Sequence, residues 1–285
     1  MADSNKFAFY QAKLSQSEFD RLSKFIFEQS GIKLPQVKLI MLQSRLQKRL
    51  KELNFTTYKE YIDYVFSAIG LENEIVHMLD VVSTNKTDFY REPVHFDFLN
   101  SVILPEYIIN GKSINNFLVW SAGCSSGEEP YTIAFNLMDF KEKNIGFDFS
   151  IIASDISSQI LNKAKLAIYK EELITSIPLN VKKKYLLKSK DRTSKTIRIV
   201  KNVRDKVVFF RFNFMEQSYN LPYMFDVIFC RNVLIYFTRE TQEQVLLKLC
   251  SKLKTGGYLF IGHSESILNM DLPIEQIKPT VYRKI

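Results

Sequence analysis

The apolar positions in the first part of the chain repeat with a helical period. Between Gln36 and Leu53, leucines recur at intervals of three and four residues, which places them along one face of a helix: Leu39, Leu42, Leu46, Leu50 and Leu53. Ser15 and Glu18 form a capping-box pattern before a second apolar-periodic run, residues 19–26. The pattern therefore predicts a helix in each of these segments.

Two further helices are predicted in the N-terminal part. Thr57 can cap a helix over residues 58–69, and a last helix over residues 71–82 leads into a polar connector. We therefore interpret residues 1–82 as an all-helical N-terminal domain and residues 83–92 as a linker.

From about residue 93 the chain alternates between short apolar runs and segments with a helical period. The runs are typical of buried strands, because they are short and rich in apolar or β-branched residues: 116–122, 149–153, 207–210, 225–230 and 257–261. Helical periods lie between most of them, at 128–140, 157–167 and 238–253. This alternation predicts an α/β domain over residues 93–285, with a doubly wound parallel sheet covered by helices on both faces.

Residues 169–205 interrupt the alternation. The segment is basic, and residues 196–200 alternate between polar and apolar side chains as a strand does. We predict a small β-subdomain here, a helix followed by a hairpin, inserted at the edge of the sheet.

The composition is that of an ordinary globular protein. Of the 285 residues, 46% are hydrophobic and 25% are charged. The apolar runs are far shorter than the roughly 20 residues of a membrane span, and the N-terminus lacks the apolar region of a secretory signal. The cysteines are scattered, and the histidines show no metal-ligand spacing: His77, His95 and His263. We expect a cytoplasmic protein without membrane insertion and without a metal.

The net charge of +8 raises the question of nucleic-acid binding. Residues 31–51 carry only basic charges, and residues 182–211 carry twelve Lys or Arg against Asp191 and Asp205, a net of 12 − 2 = +10. The charge is therefore concentrated in two patches on a nearly balanced body. A nucleic-acid coat would be more uniformly basic, so we expect no nucleic-acid partner.

Glycines and a carboxylate mark the ends of the first two predicted strands. Gly123 and Gly127 lie in a strand-to-helix turn, where a missing side chain lets a ligand approach the backbone. Their spacing fits neither the dinucleotide fingerprint nor a Walker loop. Asp155 ends the second strand, where a carboxylate can accept both hydroxyls of a ribose; the alternative is a helix N-cap. Together these residues favour an adenosine-containing ligand.

Several segments resemble the motifs of the chemotaxis-receptor methyltransferases, the CheR family. Residues 83–92, STNKTDFYRE, are similar to the family signature T-N-x-T-x-F-F-R-E, and residues 120–131, WSAGCSSGEEPY, are similar to its cofactor motif. Three further segments resemble family motifs in the same order: ASDI at 153–156, FCRNVLIYF at 229–237 and GHSE at 262–265. The helix that contains RLQKRL at 45–50 is similar to the family's N-terminal domain.

The resemblance implies a Rossmann-like methyltransferase fold that binds S-adenosylmethionine (SAM). It implies methyl transfer to glutamate side chains of chemoreceptors, which yields glutamate methyl esters and S-adenosylhomocysteine. The residues that it places at the cofactor are Asn85, Thr87, Arg91, Gly123, Glu129, Asp155, Asn213, Phe214, Arg231 and Asn232. Asp155 would hold the ribose, and Glu129 would face the ammonium group. Arg91 and Tyr236 would lie near the transferred methyl group as catalytic residues.

The implied chemistry needs no general base. A glutamate side chain has an ordinary pKa of about 4.3, so it is already anionic at neutral pH. The enzyme must mainly align the reacting atoms, and a guanidinium such as Arg91 can hold a carboxylate in a forked hydrogen bond. Tyr236 can donate one more hydrogen bond. The structural alternatives are an ion pair of Arg91 with Glu92 or Asp88, and a place for Tyr236 in the core.

The resemblance also implies that acidic helices of chemoreceptor cytoplasmic domains are the partner. One flank of the leucine-rich helix is complementary in charge, so we predict substrate docking by Lys38, Arg45, Lys48 and Arg49. The alternative is a solvated basic face. The loop at residues 189–195 has no glycine, unlike the loops expected of family members that bind a receptor tail there. We expect a monomer, with recruitment to receptor arrays.

Two other functions compete with this interpretation. A nucleic-acid methyltransferase would need a Pro-Pro tetrad or a Pro-Cys nucleophile, whereas Cys230 follows Phe229 and precedes Arg231. The other is a SAM-binding sensor or adaptor without turnover, which has the same fold but a different function.

Overall fold

The structure is a computed structural model that describes residues 12–109, 117–191 and 193–285. The predictions about the first six residues, and the assignment of Asn116 to the first strand, lie outside the described residues.

The N-terminal part is helical, as predicted. The helices α1 to α5 are Gln16–Ser30, Leu39–Leu53, Tyr58–Val65, Ala68–Asn73 and Ile75–Val82. Capping boxes at Ser15 and Thr57 begin α1 and α3. The predicted leucine stripe is confirmed for Leu42, Leu46 and Leu50, which are fully buried against the other helices.

Two of the predicted helix boundaries are wrong. The helix predicted over residues 58–69 ends at Val65, because Ser67 accepts a hydrogen bond from the Gly70 N–H (3.1 Å) and begins α4 as its N-cap. The helix predicted over residues 71–82 is likewise divided, and α5 begins only at Ile75. The N-cap at Ser67 therefore divides a continuous periodic pattern into two helices.

In the described part of the chain, seven strands form the main sheet. Their spatial order is β6 (Val207–Arg211), β2 (Phe149–Asp155), β1 (Phe117–Ala122), β7 (Phe225–Cys230), β8 (Leu253–Ile261), β10 (Val281–Lys284) and β9 (Ile274–Lys278). The first five strands are parallel in the doubly wound order, which confirms the α/β prediction. The last two are antiparallel, so the sheet is mixed where a parallel sheet was predicted.

Helices cover both faces of this sheet. They are α6 (Val94–Phe98), which continues through a π-helical stretch at Leu99–Ile103, then α7 (Leu104–Ile109), α8 (Glu128–Lys143), α9 (Ser158–Leu166) and α12 (Arg239–Lys252). Neighbouring residues of β1 face opposite sides: Val119 packs in one core with Ile133 of α8, and Trp120 packs in the other with Leu246 of α12. Burial on both faces explains why these strands are continuous apolar runs.

The insertion is a small antiparallel sheet beside the edge strand β6. It consists of β3 (Ile168–Lys170), β4 (Leu186–Lys188) and β5 (Thr196–Ile199) in the order β3-β5-β4, with helices α10 (Leu179–Tyr185) and α11 (Lys201–Arg204). The predicted helix and hairpin are confirmed as α10 and β4–β5. The strand β3 was not predicted, because three residues are too few to show a period.

Candidate active site

A cavity of about 300 Å³ opens at the carboxyl ends of the strands that surround β1. The order of the sheet reverses at β1, with β2 on one side and β7 on the other. Doubly wound proteins bind ligands at such a switch point. The linker and the N-terminal helices close the opposite side of the cavity, through Ser30, Ile32, Lys33, Leu34, Lys38 and Met41.

The glycine turn after β1 forms the floor of the cavity. Gly123 has a φ of +86°, and a Cβ at this position would lie 2.4 Å from Cγ2 of Val233. The N–H groups of Gly123 and Cys124 both donate to the Ser154 carbonyl at 2.8 Å. The turn therefore lies close against the end of β2, in a conformation that favours glycine.

Asp155 lies at the end of β2 and faces the cavity. Its Oδ2 accepts a hydrogen bond from the Ser125 N–H (2.8 Å), and its Oδ1 accepts one from the Ser157 N–H (3.0 Å). Burial raises the pKa of Asp155, although these N–H groups act in the opposite direction. The cap of α9 is the Ser157 hydroxyl, so the helix-cap alternative for Asp155 is wrong. The carboxylate retains acceptor capacity for a hydroxyl donor.

Arg231 joins the linker to the end of β7. Its side chain is 2% exposed and lies between two carboxylates, with Nη2 3.2 Å from Glu92 Oε2 and Nη1 3.5 Å from Glu129 Oε2. It also donates to the carbonyl of Arg91. Burial raises the pKa of Glu129 against the opposing effect of Arg231. For Glu92, burial acts in the same direction but Arg231 and hydrogen bonds outweigh it, so the pKa of Glu92 is lowered.

A buried carboxylate orders the loop that follows β7. Glu265 accepts hydrogen bonds from the N–H groups of Asn232 (3.0 Å), Leu234 (2.7 Å) and Gly262 (2.5 Å). Asn232 has a φ of +58°, and a Cβ at Gly262 would lie 2.8 Å from its backbone nitrogen. Glu265 therefore acts through the backbone of this loop and positions Asn232 in the cavity wall.

A few polar contacts from neighbouring elements hold the linker in place. Arg45 of α2 donates to the carbonyls of Val82 and Ser83 and to the Thr84 hydroxyl (3.1 Å). The Ser125 hydroxyl of the glycine turn donates to the Asn85 carbonyl (2.9 Å). The start of the linker is thus fixed between the N-terminal domain and the sheet.

The N-terminal domain also contacts the α/β domain directly. The Asn213 side chain donates to the Gln29 carbonyl (2.7 Å), and the Lys33 N–H donates to the Tyr236 carbonyl (2.9 Å). Gly31, which ends α1 with a φ of +72°, lies against Phe237. These contacts make the N-terminal domain part of the cavity wall.

Every residue for which a cofactor role was predicted lines this cavity: Asn85, Thr87, Arg91, Gly123, Glu129, Asp155, Asn213, Phe214, Arg231 and Asn232. Tyr236 lines it too, half-buried at the margin of an apolar core. Among the described residues, no carboxylate lies within 4.0 Å of the Arg91 guanidinium, which donates to the Lys86 carbonyl (3.2 Å). The structure thus places these side chains together, and their individual roles stay predictions.

Within the predicted docking face, Arg45 and Arg49 are engaged in contacts inside the protein. Arg49 is 12% exposed, and its Nε and Nη2 form a forked pair with buried Glu74 at 2.8 and 2.7 Å. Arg45 is engaged with the linker, as described above. Lys48 is exposed, and Lys38 lies at the cavity, so docking by these two lysines stays a prediction.

Acidic partners offset part of the second basic patch. Lys184 pairs with Asp139 and Glu142 at 2.6 and 2.5 Å, and Lys206 pairs with Asp148 at 2.6 Å. The net charge counted over residues 182–211 is therefore higher than the charge that this patch presents at the surface.

Several residues at the site had no assigned role. Ser125 and Glu265 lie inside segments that resemble family motifs, so the sequence marked their positions. It did not show what these residues bind, which the structure does. Ile32, Leu34 and Met41 enter the cavity wall from the N-terminal domain. Nothing in the local pattern of these three residues indicates a ligand.

The fold and the site together define a SAM-dependent methyltransferase. The family model described as CheR methyltransferase, SAM binding domain, matches residues 85–283, and the one described as CheR methyltransferase, all-alpha domain, matches residues 17–83. The chain therefore belongs to the CheR methyltransferase family.

Curated relatives agree with this assignment. The chain is similar to the chemotaxis protein methyltransferase of Borreliella burgdorferi, with 40% identity over 276 residues that cover 95% of both chains. It is 35% identical to that of Salmonella typhimurium over 270 residues, 94% of this chain and 90% of that protein. It is 32% identical to that of Escherichia coli over 269 residues, 94% and 91% of the two chains. None of the helices in the described residues is long and apolar enough to cross a membrane.

Proposed function

We propose that this protein methylates glutamate side chains of chemoreceptor cytoplasmic domains and uses SAM as the methyl donor. The observation that carries the proposal is that Asp155, Glu129, Arg91 and Tyr236 all line the same cavity. The family and the relatives' names support a chemotaxis substrate.

The cavity residues fit SAM by their chemistry. The free lone pairs of Asp155 suit the ribose hydroxyls, and the largely buried Phe214 ring offers an apolar face for the adenine. Glu129 accepts a hydrogen bond from Ser121 through Oε1 (2.6 Å), which leaves Oε2 for the ammonium group beside Arg231. When bound, SAM supplies an electrophilic methyl group on a sulfonium.

Arg91 and Tyr236 act on the acceptor carboxylate. The Arg91 guanidinium is without an acidic partner among the described residues, so it is available to hold a substrate carboxylate in a forked hydrogen bond. The Tyr236 hydroxyl donates to the second oxygen. No histidine is among the described residues that line the cavity, which suits a nucleophile that is already ionised.

The rim of the cavity carries the docking surface. Lys33, Lys38 and Lys86 line the opening and are exposed. Beside them, Val37 is 84% exposed and Ile40 is 69% exposed. A mixed basic and apolar rim suits an acidic amphipathic helix, because charge sets the encounter rate and apolar contact adds affinity.

The direct test is methyl transfer from SAM labelled in its methyl group to a chemoreceptor cytoplasmic fragment, followed by alkali. We expect label in the receptor that alkali releases as methanol, because carboxyl methyl esters are hydrolysed by base. Label that survives alkali would mean a different acceptor atom. Transfer that fails while calorimetry shows SAM binding would favour a sensor without turnover.

A further inference from the structure

Glu92, His95 and His263 form a side-chain cluster next to the cavity. Glu92 Oε2 lies 3.6 Å from His95 Nδ1 and 4.0 Å from His263 Nε2. The three donor atoms all lie within 4.8 Å of one another. The fold brings together the end of the linker, helix α6 and the loop after β8, which explains why sequence spacing showed no metal-ligand pattern.

Thr280 is the neighbour of His95 on the side away from Glu92. Its Oγ1 lies 2.6 Å from the Pro279 carbonyl, to which it can donate, and 2.7 Å from His95 Nε2. When Thr280 donates to Pro279, its oxygen accepts from His95 Nε2, and Nδ1 then presents a free lone pair to Glu92.

Two buried acceptors consequently face each other. His95 is 1% exposed, and its Nδ1 has no hydrogen-bond partner among the described residues. Glu92 Oε2 has no hydrogen bond there either, and its one close cation is Arg231 at 3.2 Å. Buried polar atoms without a partner are rare, and a cation between these two would satisfy both.

We propose that Glu92, His95 and His263 bind a divalent transition-metal ion, for which zinc is the best chemical fit. Two imidazoles and a carboxylate are typical zinc ligands, and zinc sites with three protein ligands leave a fourth position for water. The Nε2–H bond to Thr280 is the kind of outer contact that orients a ligating histidine. His263 has a 53% exposed side chain, which provides the entry path.

The proposed zinc site shares its carboxylate with two residues of the cofactor cavity. Glu92 pairs with Arg231 through Oε2, and its Oε1 accepts from the Asn232 side chain at 3.3 Å. Metal ligation competes for the same carboxylate, and both of its partners line the cofactor cavity.

The test is competition for zinc chloride between the untagged full chain and a chromophoric chelator. We expect one equivalent of zinc per chain and at least about tenfold weaker binding by His263→Ala. His77→Ala is the matched control, because His77 is exposed on α5 away from the cluster, and it should bind as the unmodified chain does. Equal affinity of His263→Ala, or no competition by the unmodified chain, would overturn the proposal.

A second readout uses cobalt(II) in place of zinc. We expect visible absorption bands of a four-coordinate nitrogen and oxygen site, and their loss in His263→Ala. A thiolate charge-transfer band would assign the metal to a cysteine and contradict the site. Both experiments measure binding alone, so their outcome is independent of whether the receptor is methylated.

Discussion

The two walls of the cavity are built in different ways. The sheet wall carries Gly123, Asp155 and Asn232 at strand ends whose positions are set by the pairing of β1 with β2 and β7. The linker wall carries Asn85 and Arg91 on a segment whose described backbone forms no helix or strand. The sheet wall is therefore fixed by the fold, and the linker wall depends on a few side chains from elsewhere.

The linker backbone shows the consequence of this difference. Tyr90 and Glu92, on either side of Arg91, have φ values of +55° and +56°. Non-glycine residues adopt this region only when their surroundings require it. Arg231 supplies that requirement, because it binds both the Arg91 carbonyl and the Glu92 carboxylate.

The largest effect is expected where the two walls meet. Arg231→Met should lower the free energy of unfolding by about 3–5 kcal/mol, because it leaves Glu92 and Glu129 buried without their cation. Urea denaturation measures this loss. Arg283→Met is the control, since its partly exposed pair with Glu106 should contribute at most about 1 kcal/mol. Equal losses would show that Arg231 does not join the walls.

The next effect tests the sheet wall alone. Gly256→Ala is the control. Gly256 has a φ of +74°, and an added Cβ would lie 3.7 Å from its nearest neighbour, an ordinary contact. This variant should therefore lose only about 1–2 kcal/mol of stability, from backbone strain. Gly123→Ala adds the clash with Val233, a further roughly 1–3 kcal/mol, and should also weaken SAM binding. Denaturation and calorimetry give the two quantities. Unchanged SAM affinity in Gly123→Ala would separate this turn from the cofactor.

The linker wall should respond in binding more than in stability. Arg45→Met removes the contacts to Ser83 and Thr84, and SAM affinity should fall by roughly five- to tenfold, equivalent to about 1 kcal/mol. Lys48→Met, on the same helix but exposed, should leave SAM affinity unchanged. A similar loss in both variants, measured by calorimetry, would mean that charge on α2 matters and the linker contacts do not.

The smallest effect concerns the cavity rim. Lys38→Gln should raise the KM for the receptor roughly two- to threefold at low salt, and the difference should vanish at high salt because exposed charges are screened. Lys59→Gln, an exposed lysine of α3, is the control. A change in KM that persists at high salt would contradict a docking role based on charge.

The same contrast explains what the sequence could predict. Gly123 and Asp155 carry local signals, because a strand end followed by a turn is visible in a short stretch of residues. The local signal at Arg49 is misleading. Its partner Glu74 is buried and lies 25 positions away in the sequence, so part of the basic flank is an internal ion pair. The contact of Asn213 with Gln29 joins residues 184 positions apart, and no local pattern encodes it.

The strands β9 and β10 were missed for a related reason. The residues of β9 are mostly exposed, so the segment lacks the apolar run that marked β1 and β7. Only its pairing with β10 places it in the sheet. Edge elements of this kind depend on a partner rather than on their own hydrophobicity.

The account depends most on Arg91, which the linker wall brings to the cavity for orientation of the acceptor carboxylate. The decisive measurement compares Arg91→Ala and Arg91→Lys with the unmodified chain in single-turnover methyl transfer and in SAM calorimetry. We predict a rate about 100-fold lower for Arg91→Ala, SAM affinity within about threefold, and an intermediate rate for Arg91→Lys. An equal loss of rate and SAM affinity would make Arg91 a cofactor ligand and contradict its role at the reacting centre.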